Sequence, residues 1–518
     1  MRPFTSPRRG PSTGSDHCSG IDAGTTGCKT VVFDLDGNVL GQDYREYPCI
    51  YPGPGLVEQT YQDIVPPLIE SCRAAITNSG VPATEIRAVA FSTQAPLQAL
   101  VDGDGRLIRP FLGWQDLRGA PYIPKLREAY TPDRFYQETG DPLGTNSAAP
   151  KWAWLRDNEP ENWAQAEWFL SEQEFLLKEW GAEEYWTDLS SASREGMLDV
   201  DAMDWSKGVH DLIGLPLAKR AKVATEPGKV VGTIGADLAR STGLAEGTLL
   251  CMGAHDQNCS TFGGGAVHGG DCVMVIGTFG SCYVVMDESR RDPNRKLVVK
   301  PNHGMGNWTI EAFSNTSASA FRWYRDTFCD LEIAAGRVGG VDPYDLITRQ
   351  AARSAIGANG VTFLPYLGGA FGARQNPAAR ADFFGMTLGT TKGDIARAVL
   401  EGVSFEMRDI IDAQLAAGIE VPTIRLVGGA AKSPMWSQLL ADIFQRPIDI
   451  LRTTEAGCLG AAMYAGVGAG LYGSCEEAAE RAVAVVNRYK PDPSTASAYD
   501  AAFARFVEVY EALDAQVF

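Results

Sequence analysis

No stretch of 18 apolar residues occurs in the 518-residue chain, so no membrane span is expected. The cysteines form no C-x-x-C pair and their number, eleven, is odd; they read as reduced thiols of a cytoplasmic protein. Residues 1–17 carry Arg2, Arg8 and Arg9 among Ser, Pro and Gly but no apolar core of a secretion signal, and read as a disordered tail. A Walker motif is missing: the nearest word, Gly228-Lys229-Val230, lacks the upstream Gly and the hydroxyl residue. The chain is not a dinucleotide fold by motif either. A cationic surplus is missing too. The net charge of −18 argues against nucleic acid or an anionic membrane as partner, since both need a basic footprint.

What is present is a repeated word. Gly24-Thr25-Thr26-Gly27-Cys28-Lys29-Thr30-Val31-Val32-Phe33-Asp34 returns 253 positions on as Gly277-Thr278-Phe279-Gly280-Ser281-Cys282-Tyr283-Val284-Val285-Met286-Asp287, with six of eleven places identical. Each copy reads as strand, tight turn, strand. Glycines let the backbone turn so that several N–H groups and a Thr hydroxyl converge on an anion. Two such turns are an economical way to enclose the phosphates of ATP. One further difference, just ahead of the word, matters: Asp22 stands before the first turn and Val275 before the second.

The length favours two large domains. A helix is expected over about 63–79, strands at 86–92 and 99–101, and mostly helix through the Trp- and acid-rich region 150–220. A strand is expected at 249–253, a glycine hinge at 263–270, and a helix near 316–330. The clearest element is the strand Ile424-Arg425-Leu426-Val427, the turn Gly428-Gly429-Ala430-Ala431-Lys432, then a helix. Ser433 suits its N-cap and Pro434 its first position. Trp436, Leu439, Leu440, Ile443 and Phe444 form one apolar face. Strand, glycine turn, helix is how α/β proteins present a helix N-terminus to a ligand.

Several residues can carry chemistry. Asp22, at a strand end beside the phosphate turn, can hold Mg²⁺ or cap the turn. Asp256 follows an apolar strand; it can serve as a base or as the N-cap of the next helix. Trp114-Gln115-Asp116-x-Arg118 offers an aromatic wall and hydroxyl-binding groups, or a salt-bridged loop, and Gln94 has the same two readings. Cys251, His255 and Cys259 stand four apart, but a strand there breaks the helical face and a fourth zinc ligand is missing.

With these words in place the chain resembles the FGGY family of carbohydrate kinases, from about residue 20 to 515. Ile21-Asp22-Ala23-Gly24-Thr25-Thr26, Pro54-Gly55-Leu56-Val57-Glu58-Gln59, Trp114-Gln115-Asp116-Leu117-Arg118 and Ala254-His255-Asp256-Gln257 carry the likeness in the first half. Ile276-Gly277-Thr278, Phe384-Gly385-Met386, the Leu426–Ser433 run and Glu455-Ala456-Gly457-Cys458-Leu459-Gly460-Ala461-Ala462 carry it in the second. The resemblance implies an α/β fold of two actin-like (ribonuclease-H-like) domains, 18–262 and 263–518, with an ATP and sugar cleft between them. It implies Asp256 as catalytic base and Asp22 as the acid for Mg²⁺. Gly24, Thr25, Thr26, Lys29, Gly277, Thr278, Gly428, Gly429, Ala430 and Lys432 become ATP contacts, and Gln94, Trp114, Asp116, Asp256 and Gln257 sugar contacts. Family members are often dimers or tetramers, so a homo-oligomer is implied as possible. The substrate signal is mixed. Xylulose kinases usually carry Ser-Gly-Gln-Met-His-Gly where this chain has Ser92-Thr93-Gln94-Ala95-Pro96-Leu97, and the Asn-Gln-Arg-Glu usual in glycerol kinases is absent. Yet Trp114-Gln115-Asp116 and Asp256-Gln257 resemble the glycerol kinase versions. A ketose such as xylulose comes first, with glycerol, a tetritol or another polyol or sugar of the family as the alternative, and a non-catalytic actin-like nucleotide- or sugar-binding regulator behind both.

Overall fold

The computed structural model describes residues 16–302 and 304–517. All of the expected tail up to residue 15 lies outside the described residues, and His17 opens the first strand. Two compact units divide the chain. The first runs to Val267 and takes back Pro301–Gly306 and Glu455–Val483; the second holds His268–Lys300, Asn307–Thr454 and the stretch from Ala484 onward. Chain order and compactness therefore part company at residues 455–483, which lie late in the chain but belong to the first unit.

Both units are built on one strand order. In the first, the sheet runs Val230–Thr233, Leu249–His255, Ile86–Thr93, His17–Ala23, Gly27–Asp34, Val39–Glu46. In the second it runs Val298–Pro301, Trp308–Ser314, Gly280–Met286, Cys272–Ile276, Ile424–Gly428, Ile448–Leu451, Val485–Tyr489. Each repeated hairpin supplies two neighbouring antiparallel strands, and a third antiparallel strand lies outside its second strand. Two parallel strands follow on the other side of the hairpin. Parallel neighbours need crossovers long enough to hold helices, which is why each sheet is covered by them.

In the first unit the sheet is a layer between two cores. Ile21, Val32, Val89 and Phe91 face one side, with Ile64 and Leu68 of the helix Tyr61–Ser79 and with Trp180. Cys18, Val31, Phe33, Ala88 and Ala90 face the other, with Phe262, Leu459 and Ala462. The period-two alternation of the strands produces this sorting. Thr60 starts the first of these helices through a reciprocal cap with Asp63, and Gly80 ends it with φ 65°. In the second unit the helix Pro434–Phe444 begins as expected, with Ser433 Oγ accepting from Trp436 N at 3.3 Å. Its apolar face is buried throughout.

Region 150–220 differs from the helical expectation. Helices Ala148–Asn158, Glu172–Glu179, Leu189–Arg194 and Lys207–Ile213 alternate with short strands such as Trp168–Leu170 and Trp186–Asp188. Trp, Phe and Thr favour extended backbone, and Asp188 ends the second of these strands by capping the next helix through the N–H groups of Ser190 and Ser191.

The two hairpins are not conformational copies. Ala23 pairs with Cys28 in the first, leaving four residues in the turn; Ile276 pairs with Gly280 in the second, leaving three. Asp22 thus faces Lys29 across the ladder, whereas Val275 faces Ser281, one place earlier in the word. A slip of one residue exchanges the faces of the side chains that follow.

Candidate active site

In the first unit the chemistry gathers at the C-terminal ends of three adjacent strands. Asp22 is the penultimate residue of His17–Ala23. Ser92, its partner on the parallel strand, donates Oγ to Asp22 Oδ1 at 2.5 Å. Burial raises the Asp22 carboxyl to about 7, and Asp256 and Glu455 add to that, while the Ser92 bond and Lys29 work the other way. Glu455 arrives with the helix Ala456–Gly468, and its Oε2 lies 2.8 Å from Lys29 Nζ. That helix sits against Asp22 because its small residues allow it. A Cβ on Gly20 would stand 1.8 Å from Cys458 O, and one on Gly460 would stand 1.9 Å from Cys259 O.

Asp256 is the first residue of the helix Asp256–Gly263. The preceding strand continues to His255, two residues past the expected end. The Asp256 side chain is 28% exposed and its Oδ1 lies 2.9 Å from His255 Nε2. Burial alone would push this carboxyl up, but His255 and the Gln257 N–H outweigh it and hold it below the ordinary carboxylate value. The helix N-terminus favours the same charged form. Two neighbouring acids are therefore driven in opposite directions, Asp22 toward a proton and Asp256 away from one. Such divergence is how a site separates an acid that serves as base from one that awaits a cation.

The first turn is held from several sides. Tyr47 donates its OH to Gly24 O at 2.6 Å, and Gln94 Nε2 donates to the same carbonyl at 3.2 Å. Trp114 Nε1 donates to Thr25 Oγ1 at 3.1 Å, so the structure brings this candidate sugar residue directly onto the candidate phosphate turn. Thr26 is exposed at the tip. Gly27 keeps a negative φ; what it supplies is space, since a Cβ there would stand 2.5 Å from Arg45 O. Asp116 is fully buried, accepting from Val57 N at 2.6 Å and from Arg118 N and Nε at 2.9 Å. In this structure it is part of the framework of the Trp114–Arg118 loop. Lys151, also fully buried, donates Nζ to Trp114 O at 2.8 Å. Burial lowers its ammonium to about 7 despite Asp116 nearby. Gln257 is half-buried beside Asp256.

In the second unit the turn at Gly277 and the loop at Gly428 meet. Gly428 has φ 92°, and a Cβ on it would stand 2.6 Å from Ile276 O, so the loop crosses the end of the first strand only with glycine there. A cavity of about 520 Å³ opens beside them, lined by Gly277, Thr278, Arg322, Gly429, Lys432 and Trp436 among others. Arg322 Nη2 donates to Thr278 Oγ1 at 3.0 Å. Ala430 is fully buried behind the loop. Glycine backbone, a threonine hydroxyl, the three cations Arg322, Arg325 and Lys432 and an aromatic wall, with the acids Asp342 and Asp345 on the same lining, are the ingredients of a nucleotide site in a cavity of this size.

The zinc grouping is absent from the fold. Cys251 Sγ contacts Ala465 O and Cys259 Sγ contacts Ala254 O. Among the described residues no group of three or more His, Cys, Asp or Glu is placed to hold a metal. The described residues thus form no protein cage for a divalent ion, whereas one hard carboxylate, Asp22, suits an ion that keeps several waters and is shared with phosphate oxygens. A Gly-x-Gly-x-x-Gly word does occur, Gly468-Ala469-Gly470-Leu471-Tyr472-Gly473. It closes a helix instead of opening one after a strand, so it has none of the phosphate-binding context that such a word requires.

Both halves match the family models described as the FGGY family of carbohydrate kinases, the N-terminal domain over residues 18–263 and the C-terminal domain over 272–469. The chain belongs to the FGGY family of carbohydrate kinases. It is 28% identical over 506 residues to a gluconokinase of Bacillus subtilis (strain 168), covering 96% of each chain. It is also 28% identical over 493 residues to a xylulose kinase of the same organism, covering 95% of this chain and 96% of that one. A crystal structure of a ligand-bound xylulose kinase from Lactobacillus acidophilus superposes with TM-score 0.86 at 24% identity, over 97% of this chain and 99% of that one. The two-domain α/β architecture is that of this fold, ribonuclease-H-like and actin-like.

Ser92, Lys151, Glu172 and Arg322 went unassigned by sequence reasoning, and Glu455 was quoted without a role. Ser92 and Arg322 had a usable signal, being adjacent to a motif or on the helix after one. Lys151 and Glu172 had none: each reads as an ordinary helical charge, and only packing makes it a buried one.

Proposed function

We propose that this FGGY kinase transfers the γ-phosphoryl group of ATP to a terminal hydroxyl of a small ketose, xylulose-like first, or of a related polyol. The observation that carries the reading is Asp256: ionised, partly exposed, at the start of a helix and beside a second, electrostatically opposite acid. Asp256 accepts the proton of the attacking hydroxyl, which no free base in solution could do in a closed site. Asp22, with Ser92 orienting one of its oxygens, would hold Mg²⁺ through the ion's waters. The 24–27 turn, Thr278, Arg322 and Lys432 would receive the phosphates, and the 428–430 loop the adenosine. Bound Mg²⁺ supplies neutralisation of the charge that spreads over the phosphoryl oxygens. Trp114, held by Lys151 and Thr25, walls the sugar side, and Gln94 and Gln257 offer hydrogen bonds to its hydroxyls.

A coupled ADP-release screen over ketoses, alditols and aldonates with Mg²⁺ tests this. At least one ketose or alditol should raise the rate at least about tenfold above the ATP-only background. If none does, the kinase reading of this chain is lost.

A further inference from the structure

His255 closes the strand Leu249–His255 and Asp256 opens the helix Asp256–Gly263. Neighbouring side chains of a strand point to opposite faces and do not meet. Here the backbone turns from extended at His255, with φ −51° and ψ 143°, into the helix, and the two side chains come together. His255 Nε2 lies 2.9 Å from Asp256 Oδ1. The ring is buried, and among the described residues its Nδ1 closes no hydrogen bond, so its polar contact is spent on Asp256. The backbone beneath the ring is tied elsewhere. Ser190 Oγ accepts from His255 N at 3.0 Å, and Ser190 donates its N–H, at 2.7 Å, and its hydroxyl to Asp188 Oδ1. Both Asp188 and Ser190 are fully buried. Asp256 Oδ1 is buried too, whereas the Asp256 side chain as a whole is 28% exposed, so the oxygen a substrate can reach is Oδ2.

We propose that His255, pinned by Ser190 and Asp188, is a positioning residue of the phosphoryl transfer: it occupies Oδ1 of Asp256 and so presents Oδ2 as the atom that takes the substrate's proton. The proposal rests on the kinase reading above, with Asp256 as its base. An N–H aimed at Oδ1 stabilises the ionised carboxylate and restrains its rotation. Oδ2 is then in place when the hydroxyl oxygen bonds the γ-phosphorus, gives up its proton and ADP departs. Burial drives the Asp256 carboxyl toward a proton, and His255 is the strongest influence against it. Arg194, at the end of the helix Leu189–Arg194, works with His255. Asp22 and Glu172, two acids that feel the Asp256 charge, work against it.

The test compares wild type, His255→Gln and His255→Leu by initial rates from about pH 4.5 to 8, with the best substrate of the ADP-release screen. Gln brings an N–H near the place of Nε2; Leu fills the space without one. His255→Leu should lower kcat about 10- to 100-fold with KM for sugar and ATP within about twofold, and His255→Gln should stay within about fivefold of wild type. The acid limb of kcat/KM should move to higher pH in His255→Leu. At about pH 5 that variant should keep at most about a third of the share of its plateau that wild type keeps. A purely structural histidine predicts a lower melting temperature, an unmoved limb and Gln no better than Leu. An unmoved limb, or a kcat loss under about threefold in His255→Leu, overturns the proposal. If His255→Leu does not fold, His255→Asn, too short to reach Oδ1, replaces it with the same expectations. Failure of every sugar to release ADP from wild type removes the kinase reading, and the contact is then judged by a double-mutant cycle in urea midpoints at neutral pH. Asp256→Asn should leave the midpoint unchanged beside His255 and raise it in the His255→Leu background, where the carboxylate has lost its neighbour. Unequal shifts of that kind uphold the contact, and equal shifts overturn it.

Discussion

Asp22 and Asp256 are the same residue type driven in opposite directions, and their difference comes from neighbours. Asp22 is buried against Ser92 with two other acids acting on it, while Asp256 has His255 at 2.9 Å and a helix N-terminus beneath it. Asp256→Asn keeps the shape and removes the base, so kcat should fall by about 10³ with the melting temperature unchanged, as single-turnover kinetics and calorimetry would report. The carboxyl of Asp256 is held below the ordinary range, so it is already ionised at and above that range. Its loss should therefore not produce an acid limb of kcat/KM near neutrality; a wild-type limb set by Asp256 should appear only below the usual carboxylate pKa. Both acids were legible as candidates from their places at strand ends. Their proposed roles, base for Asp256 and metal acid for Asp22, were also given by the motifs; what the sequence did not carry is the opposite drive on their charges, which depends on Ser92 and Glu455 from distant parts of the chain and on the side-chain contact of the neighbouring His255.

At the scale of elements, glycine decides how near the helix Ala456–Gly468 can come to the first sheet. Gly460→Ala places a methyl on Cys259 O, so the helix must move, and stability should drop by at least about 2 kcal/mol in denaturant titration. Activity should fall with it, since Glu455 and its bond to Lys29 ride on the same helix. A second element-scale effect lies in the helix Lys392–Ala416 of the second unit. Glu406 accepts from Ser314 Oγ at 2.7 Å, and burial raises its carboxyl to about 8, with Asp409 adding and Arg374 opposing. Its folded value lies above its unfolded value of 4.5, so the folded state binds more protons between those limits. Wild type should therefore lose stability as pH rises from about 4.5 to 8, and Glu406→Gln should lose less, because Asp22 and Glu174 still titrate in that window. The gap should reach about 2–4 kcal/mol at pH 8, measured as the difference between the two proteins' urea midpoints across pH. The strands and the Ser433-capped helix were readable from period, glycine and cap signals. The mixed region 150–220 was not, because its short strands owe their existence to tertiary partners and not to runs of their own.

For the whole molecule, all the candidate sugar residues lie in the first unit, whereas the candidate ATP residues lie in both, so variants in the second unit should act on ATP alone. Arg322→Ala removes a cation and the partner of Thr278 in the second unit, and should raise KM for ATP about tenfold with KM for the sugar within about twofold. Trp114→Ala in the first unit should act mainly on the sugar, raising its KM about tenfold or more, with a smaller rise for ATP because Trp114 also bonds Thr25 of the candidate phosphate turn. Equal shifts of both constants by either variant, in initial-rate kinetics with each substrate varied, would contradict the division. The repeated word was enough by itself to announce two related halves, because a turn between two strands is a local structure written in adjacent residues. The order of motifs carried the family for the same reason. Only the tertiary structure decided that the two turns differ by one residue of register, that residues 455–483 return to the first unit, and that the charged side chains of Lys151 and Glu172 are buried. Each of these is set by what packs against a residue from far along the chain, and hydrophobic pattern and turn chemistry carry no record of that.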